Sequence, residues 1–225
     1  MDIKFTATDP AAIEQFPPRP ANKLVPDWYR DLDLWKKNQY PGEGWPTIKH
    51  CVPVQDIITS GYILTNPYDT VIQPFEAEGI TDYTTKSVVR DYVKSHDHQQ
   101  CPVKINGTAK HYFKINQPWI IRTPPGYSCL FIQPFYHFEE RYTLLPSIVD
   151  TDEHDMEVSF PGYALTDSEF KLEPGQPLMQ VIPFKRDEWT MTVEHAPGVR
   201  SKLESMRIAG LAGYRTLFHK RKFFK

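Results

Sequence analysis

Residues 118–186 decide the fold, and they read PWIIRTPPGYSCLFIQPFYHFEERYTLLPSIVDTDEHDMEVSFPGYALTDSEFKLEPGQPLMQVIPFKR. The stretch contains short runs rich in β-branched and aromatic residues, and most of these runs are bounded by Pro, Gly, Asn or Asp. The runs are PWIIRT, YSCLFIQ, RYTLLPSIV, MEVSF, FKLEP and PLMQVIPF. This pattern predicts a body of short strands joined by tight turns.

The same pattern extends upstream, where HYFKI, TVIQPF, YILTN and TIKHC are predicted strands and PVQDIITSG is a predicted helical turn. Residues 25–37 place Trp28, Leu32 and Trp35 at helical spacing behind Pro26, which predicts a short amphipathic helix. We predict one domain over residues 1–225, mainly β (α+β). Residues 1–37 form an extended arm and the short helix, residues 47–197 the β body, and residues 198–225 a C-terminal helix with a basic tail.

Composition places the chain among ordinary globular proteins. Of its 225 residues, 40% are hydrophobic and 24% are charged, as in average soluble proteins. Twenty-one prolines disfavour long helices. Three cysteines without CxxC spacing favour neither a disulfide framework nor a four-thiolate metal site, so we expect a reducing compartment.

Partners are also restricted by composition. We find no run of about 20 apolar residues and no basic start followed by an apolar block, so we expect a cytoplasmic protein without a membrane partner. The net charge of −2 gives no general reason to expect nucleic acid. The exception is the basic tail, residues 215–225 (RTLFHKRKFFK), which could touch phosphates.

Three motifs carry a family resemblance: RTPPGYS at residues 122–128, IVDTD at 148–152 and PGQPLMQVIPFKR at 174–186. With VPDWY, TIKHC and GYI upstream, they resemble an uncharacterised family of tailed-phage and bacterial proteins that has no established activity. The resemblance implies a phage protein that acts by binding or assembly. It also implies a location in the host cytoplasm or the virion, with a phage or host protein as partner.

The same motifs are similar, more weakly, to the dUTPase and dCTP-deaminase group. Residues 125–127 fit that group's PxGxY element, 149–152 its (I/V)DxD turn and 172–180 its last strand. The similarity implies a β-clip fold, a distorted barrel of short strands that often assembles as a homo-oligomer, in particular a trimer. It further implies that Asp150 is the base that orients an attacking water, with Asp152 and Arg122 in support and a divalent ion such as Mg as cofactor.

The phosphate-binding devices of that group are missing from the sequence. At the loop position the chain has QPFYHFEE, residues 133–140, with no arginine until Arg141, and its C-terminus has no glycine-rich cradle. Backbone amides and an arginine are needed to offset several phosphate charges. The sequence therefore favours a protein that has this fold without its chemistry.

Asp150 and Asp152 also belong to a cluster of closely spaced carboxylates in VDTDEHD. Such a cluster either binds a divalent cation, splits into an acid and a base, or forms a solvated turn.

A rival enzyme hypothesis uses His137, Glu139 and His195. Their order resembles the HxD/E motif and distal histidine of iron- and 2-oxoglutarate-dependent oxygenases, with Arg200 or Arg207 as the 2-oxoglutarate anchor. Two histidines and one carboxylate with open positions form the iron site that oxygen activation needs. This hypothesis implies Fe as cofactor.

Other polar residues are candidates for ligand binding. His96 and His98 would point the same way on a strand and could chelate a metal, or they lie in an exposed polar loop. Arg122 could hold an anionic ligand or form a structural bridge to an acidic group such as Asp150. The candidate ligand-binding residues are Arg122, Tyr127, Gln133, His96 and Gln100.

Overall fold

A computed structural model of the chain describes residues 1–37, 44–105, 107–195, 204, 210 and 213–225. The chain divides into two compact units. The first unit comprises Met1–Arg19 and Gly61–Arg186, and the second comprises Pro20–Ser60 and Asp187–Lys225.

The described elements are mostly short strands. In chain order the strands are β1 (Lys4–Ala7), β2 (Arg19–Pro20), β3 (Trp35–Lys37), β4 (Gly44–Pro46), β5 (Tyr62–Thr65), β6 (Thr70–Ala77), β7 (Ile80–Ser87), β8 (Val93–His96), β9 (Lys104–Ile105), β10 (Thr108–Lys110), β11 (Tyr112–Arg122), β12 (Tyr127–Ile132), β13 (Tyr142–Leu144), β14 (Ser147–Val149), β15 (Glu157–Ala164), β16 (Phe170–Leu172) and β17 (Pro177–Lys185). The α-helices are α1 (Pro10–Gln15), α2 (Asp27–Asp31), α3 (Val52–Thr59) and α4 (Gly213–Leu217), with 3-10 turns at Ala21–Lys23, Ile48–His50 and His98–Gln100.

The first unit contains three sheets. In one sheet the order is β1-β11-β15-β13, with β8 also paired to β11; in the second it is β16-β6-β7-β10-β9; in the third, β14, β12, β17 and β5 are successive neighbours. The sheets are curled and helices are few, which confirms the prediction of a mainly β fold of the β-clip or distorted-barrel type.

The core of the first unit is filled by side chains that alternate along the strands. Phe113 and Ile115 on β11, Phe131 on β12 and Phe160 on β15 are all fully buried. Because successive side chains of a strand point to opposite faces, one face of each of these three strands supplies these core residues. Each such side chain contributes about 1.5–3 kcal/mol by leaving water, so the core is the main stabilising term.

Strand β12 lies between β14 and β17 and brings the sequence motifs together. Cys129 is opposite Val149 on one side and opposite Pro183 on the other, and Tyr127 is opposite Lys185. The PPGYS turn, the VDTD turn and the end of the PFKR segment therefore meet at one end of this sheet.

The glycine of the GYI motif directly precedes β5. Gly61 has a φ of 69°, and a Cβ atom at this position would collide with the Val181 carbonyl of β17. Only glycine allows the strand to start so close to its neighbour.

Two predictions in the second unit need correction. The helix predicted over residues 25–37 ends at Asp31, and Trp35 lies on β3, which pairs with β4. Its indole ring packs edge-on against His50, with centroids 4.8 Å apart, so Trp35 packs in a hairpin instead of on a helix face. The strand predicted at TIKHC is wrong, because this segment forms the 3-10 turn Ile48–His50. The His50 amide donates a hydrogen bond to the Thr47 carbonyl in this turn.

Other predictions for the second unit are confirmed or lie outside the described residues. The helical turn predicted at PVQDIITSG is α3. The C-terminal helix predicted from residue 198 falls largely outside the described residues, and its described part is α4. No helix in the described part of the chain is long and apolar enough to cross a bilayer.

Candidate functional site

The three motifs form a cluster of hydrogen bonds at the end of the third sheet, here called the turn cluster: Gly126, Ser128, Asp150, Asp152 and Arg186. The Arg186 amide donates to the Gly126 carbonyl at 2.9 Å, which fixes the end of β17 on the PPGYS turn. The Gly126 amide in turn donates to Asp152 Oδ2 at 2.7 Å. Gly126 has a φ of 82°, the left-handed conformation that glycine adopts without strain.

Asp152 is the buried anion of the turn cluster. Arg186 holds it with both terminal guanidinium nitrogens, at 2.7 Å to Oδ1 and 2.5 Å to Oδ2, and the Asp152 side chain is only 4% exposed. The Arg186 hydrogen bonds, against the opposing effect of desolvation and with help from the Gly126 amide, lower the pKa of Asp152 to about 2. A carboxylate engaged on both oxygens is a structural anion, poorly suited to take up a proton from water.

Asp150 has the opposite environment. Its side chain is 63% exposed, although Oδ1 is fixed by the Ser128 hydroxyl at 2.6 Å and lies 3.2 Å from Arg186 Nη1. The two predicted catalytic aspartates are thus adjacent, but only Asp150 offers a carboxylate to solvent.

Buried hydroxyl groups lock the two turns together beneath the turn cluster. Thr123 and Thr151 share a hydrogen bond of 2.7 Å between their hydroxyls, and the Thr123 amide donates to the Thr151 carbonyl. The Thr151 hydroxyl also donates to Cys129 Sγ at 3.3 Å. Burial, only partly offset by this bond, raises the pKa of Cys129 to about 11, so its thiol is protonated and a poor nucleophile.

Arg122 forms a structural bridge to an acidic residue, but to Asp155 instead of Asp150. Its guanidinium pairs with Asp155 and donates to the Asp152 carbonyl at 3.2 Å. Tyr127 takes part through its backbone, because its carbonyl accepts from Thr123 Oγ1 at 3.1 Å. Both residues therefore stabilise the turns around Asp150.

The remaining candidates lie away from the turn cluster. Gln133 accepts from the Leu144 amide at 3.1 Å and so ties the end of β12 to β13. His96 stacks on Tyr112 with ring centroids 4.9 Å apart, and the Tyr112 hydroxyl donates to Gln100 at 2.8 Å. The structure thus brings His96 and Gln100 to the same tyrosine.

The predicted iron ligands divide between the two units. His137 and Glu139 belong to the first unit and His195 to the second. Both Glu139 oxygens are bonded to the Arg141 guanidinium, at 2.7 and 2.6 Å, and one also accepts from Gln176. A metal ion at Glu139 would have to displace these donors. The iron site of His137, Glu139 and His195 stays a prediction. The two arginines predicted as anchors, at positions 200 and 207, lie outside the described residues.

A different group of residues has the geometry to hold a metal. Within the described ranges, one group of three or more His, Cys, Asp or Glu side chains brings its ligand atoms close together: Asp97, His98 and His111, whose ligand atoms all lie within 4.8 Å of one another. His137 and Glu139 are not part of this group.

The second unit contains a charged cleft of about 470 Å³ beside α3. In this cleft Asp56 binds His219 at 3.1 Å and Lys222 at 2.5 Å. Desolvation acts to raise the pKa of Asp56, but the hydrogen bonds from Lys222 and His219 outweigh it and lower the pKa. The basic C-terminal tail is thus anchored on α3 by an aspartate.

Sequence reasoning missed two features. The first is the role of Arg186 as the partner of Asp152. Arg186 is the last residue of the PFKR motif, and this position was the signal that could have indicated it. The second feature is the segment of residues 188–194 (EWTMTVE), here called the apolar arm. Its side chains Trp189, Met191 and Val193 are 89%, 85% and 86% exposed. Their alternation with polar residues was the available signal.

The fold and the turn cluster define a mainly β protein of short strands in curled sheets. No family model matches the chain, and no curated protein does. Among solved structures, it is similar to the native dUTPase of EIAV, with a TM-score of 0.38 and 11% identity over 87% of this chain and 98% of that one.

A second similar structure is a mutant dUTPase from phage phi11 of S. aureus, described for its coordination of a structural Mg(II) ion. Its TM-score is 0.40 and its identity 8%, over 88% of this chain and 97% of that one. At these TM-scores the likeness carries no information about activity. The resemblance to the phage family is supported by no family model and stays a prediction.

Proposed function

We propose that the protein acts by binding and assembly, as a homo-oligomer in which the apolar arm of one copy adds as a strand to an open sheet edge of another. One observation carries this proposal: three large apolar side chains stand at alternate positions, each at least 85% exposed. Residues 187–195, all of which the structure describes, form neither helix nor strand.

The sequence of the apolar arm suits a strand. In an extended conformation Trp189, Met191 and Val193 share one face, and Thr190 and Thr192 share the other. Threonine, valine and tryptophan all favour strands. Burying each of the three apolar side chains in a partner would contribute about 1.5–3 kcal/mol before the entropic cost of association is subtracted.

The first unit offers an acceptor for such a strand. Strand β14 is the edge of the third sheet, and its central residue, Ile148, is 63% exposed. An edge strand presents unpaired backbone donors and acceptors, and a strand from another chain can pair with them. Contacts from the arm of each copy to β14 of the next would close a ring, and the trimer implied by the sequence resemblance is such a ring.

The proposal is tested by the mass of the assembly in solution. Met191→Asp places a charge on the apolar face and should convert the oligomer into monomers in light scattering coupled to size exclusion. Thr192→Asp places the same charge on the opposite face and should preserve the oligomer. A wild-type protein that is monomeric throughout the micromolar range, or equal masses for the two variants, contradicts the proposal.

A second candidate function is hydrolysis of a nucleotide or other small molecule with Asp150 as general base. The observation that favours it is the solvent-exposed Asp150 carboxylate, held in place by Ser128 and flanked by Arg186. Turnover of nucleoside triphosphates with Mg should then be abolished by Asp150→Asn and retained by Glu169→Gln, which changes an exposed carboxylate directly before β16. Absence of turnover in the wild-type protein removes this candidate.

A further inference from the structure

Asp97, His98 and His111 come from two adjoining pieces of the first unit. Asp97 follows β8 and caps the 3-10 turn His98–Gln100, and His111 directly precedes β11. Because β8 and β11 pair, with His96 opposite Tyr112, the turn that follows β8 lies beside the start of β11. The fold therefore brings together two imidazoles and a carboxylate from positions up to 14 residues apart.

Backbone hydrogen bonds hold two of the three side chains in place. The His98 amide donates to His111 Nδ1 at 2.8 Å, so the lone pair of this nitrogen is directed at the turn. The His111 amide is itself fixed on the Thr81 carbonyl. Asp97 Oδ1 accepts from the Gln99 amide at 2.7 Å, which orients its carboxylate.

The third side chain has a buried nitrogen without a hydrogen bond. His98 Nδ1 is buried and makes no hydrogen bond with any described residue, although Asp97 Oδ1 lies 3.3 Å away. Buried polar atoms are rarely left in this state, and those that are call for an explanation such as an ion. The His98 side chain as a whole is 24% exposed, so an ion can reach it from solvent.

We propose that Asp97, His98 and His111 bind a divalent transition-metal ion of the zinc type. Imidazole nitrogen suits zinc and its neighbours in the first transition row, whereas Mg prefers sites composed of oxygen ligands. The two imidazole rings are inclined at 72° with centroids 5.2 Å apart, so they are not stacked face to face. On binding, the ion would take the His111 Nδ1 lone pair in exchange for the His98 amide hydrogen bond.

The proposed site does not depend on assembly or on Asp150. Three protein ligands leave a tetrahedral zinc ion with one position for water or a ligand. The ion would also tie the turn after β8 to the start of β11, and it would satisfy the buried His98 nitrogen. Zinc should therefore raise the melting temperature of the protein, whereas Mg at the same concentration should not.

The test is titration of the chelator-treated full-length protein with zinc, followed by calorimetry and by melting temperature. The wild-type protein should bind one ion, and His98→Gln and His111→Gln should each weaken binding by about tenfold or more. His96→Gln is the matched control, because this neighbouring histidine stacks on Tyr112 outside the group.

Melting of each variant without zinc separates ligand loss from misfolding, and Asp97→Asn provides a second variant if a histidine change unfolds the protein. Three results overturn the proposal: no zinc binding by the wild-type protein, undiminished binding by folded His111→Gln, or an equal loss in His96→Gln. The last result would place the metal on β8 instead.

Discussion

At the residue scale, Asp150 and Asp152 show how one turn gives two carboxylates different properties. They are separated by Thr151, whose buried hydroxyl lies between Thr123 and Cys129 and fixes the turn from below. Asp152 points to Arg186 and the Gly126 amide, while Asp150 stays at the surface. The sequence resemblance gave Asp150 as the base and Asp152 in support, but it could not show that Asp152 is a buried anion, because that depends on Arg186, which is 34 residues away.

Asp152 should make the stability of the protein depend on acid pH. Its pKa is about 2 in the folded protein and 3.8 ordinarily, so the unfolded chain binds the proton more tightly. The stabilisation is therefore complete above about pH 4 and is lost as the pH falls towards 2. Urea denaturation between pH 4 and 2 should show a steeper loss of unfolding free energy for the wild-type protein than for Asp152→Asn.

Arg186→Met should remove the same pH-dependent part of the unfolding free energy, since the low pKa of Asp152 depends first on the hydrogen bonds from Arg186. Parallel loss of stability in the wild-type protein and in Asp152→Asn would show that this pair does not control the acid response.

At the element scale, most strands of residues 118–186 could be predicted from their composition and turn residues, but the run RYTLLPSIV forms two strands, β13 and β14, which belong to different sheets. The sequence also suggested two separate runs, HYFKI and PWIIRT, where the structure has the single strand β11. Pro118 was the reason to separate them. It is accommodated where the register with β15 shifts, between Asn116 and Ile120, because proline is tolerated at such irregularities.

The metal-binding group shows a similar limit of sequence reasoning. His96 and His98 share a face only if both lie on a strand, but β8 ends at His96. His98 starts a 3-10 turn and meets His111 instead. Periodicity describes a segment by itself, and this contact depends on the pairing of β8 with β11.

Gly61 should be far less tolerant of substitution than Gly79. Both have a positive φ, 69° and 78°, so alanine costs each about 1–2 kcal/mol of backbone strain. A Cβ atom at Gly61 would also collide with the Val181 carbonyl, whereas no described atom lies within 4 Å of one at Gly79. Urea denaturation should therefore show a larger loss of unfolding free energy for Gly61→Ala than for Gly79→Ala. Equal losses would mean that β5 and β17 can separate at this point at little cost.

At the scale of the whole molecule, the exposed apolar side chains are unevenly distributed. The first unit buries an alternating set from its three sheets in one core. Both units also expose large apolar side chains, but apart from Met1 the most exposed ones among the described residues are Trp189, Met191 and Val193 of the apolar arm. Large exposed apolar groups in a row are characteristic of interaction surfaces. This clustering on the apolar arm is what supports the proposed role in an assembly.

Hydrogen exchange of the backbone amides of residues 188–194 tests that account most directly. Strand addition to another copy would bond alternate amides of the apolar arm to a neighbouring sheet edge. We predict slow exchange across these residues at high protein concentration, and fast exchange on dilution or in Met191→Asp. Fast exchange at every concentration, in a protein whose β12 and β17 amides remain protected, would show that the arm has no partner strand and would contradict the account.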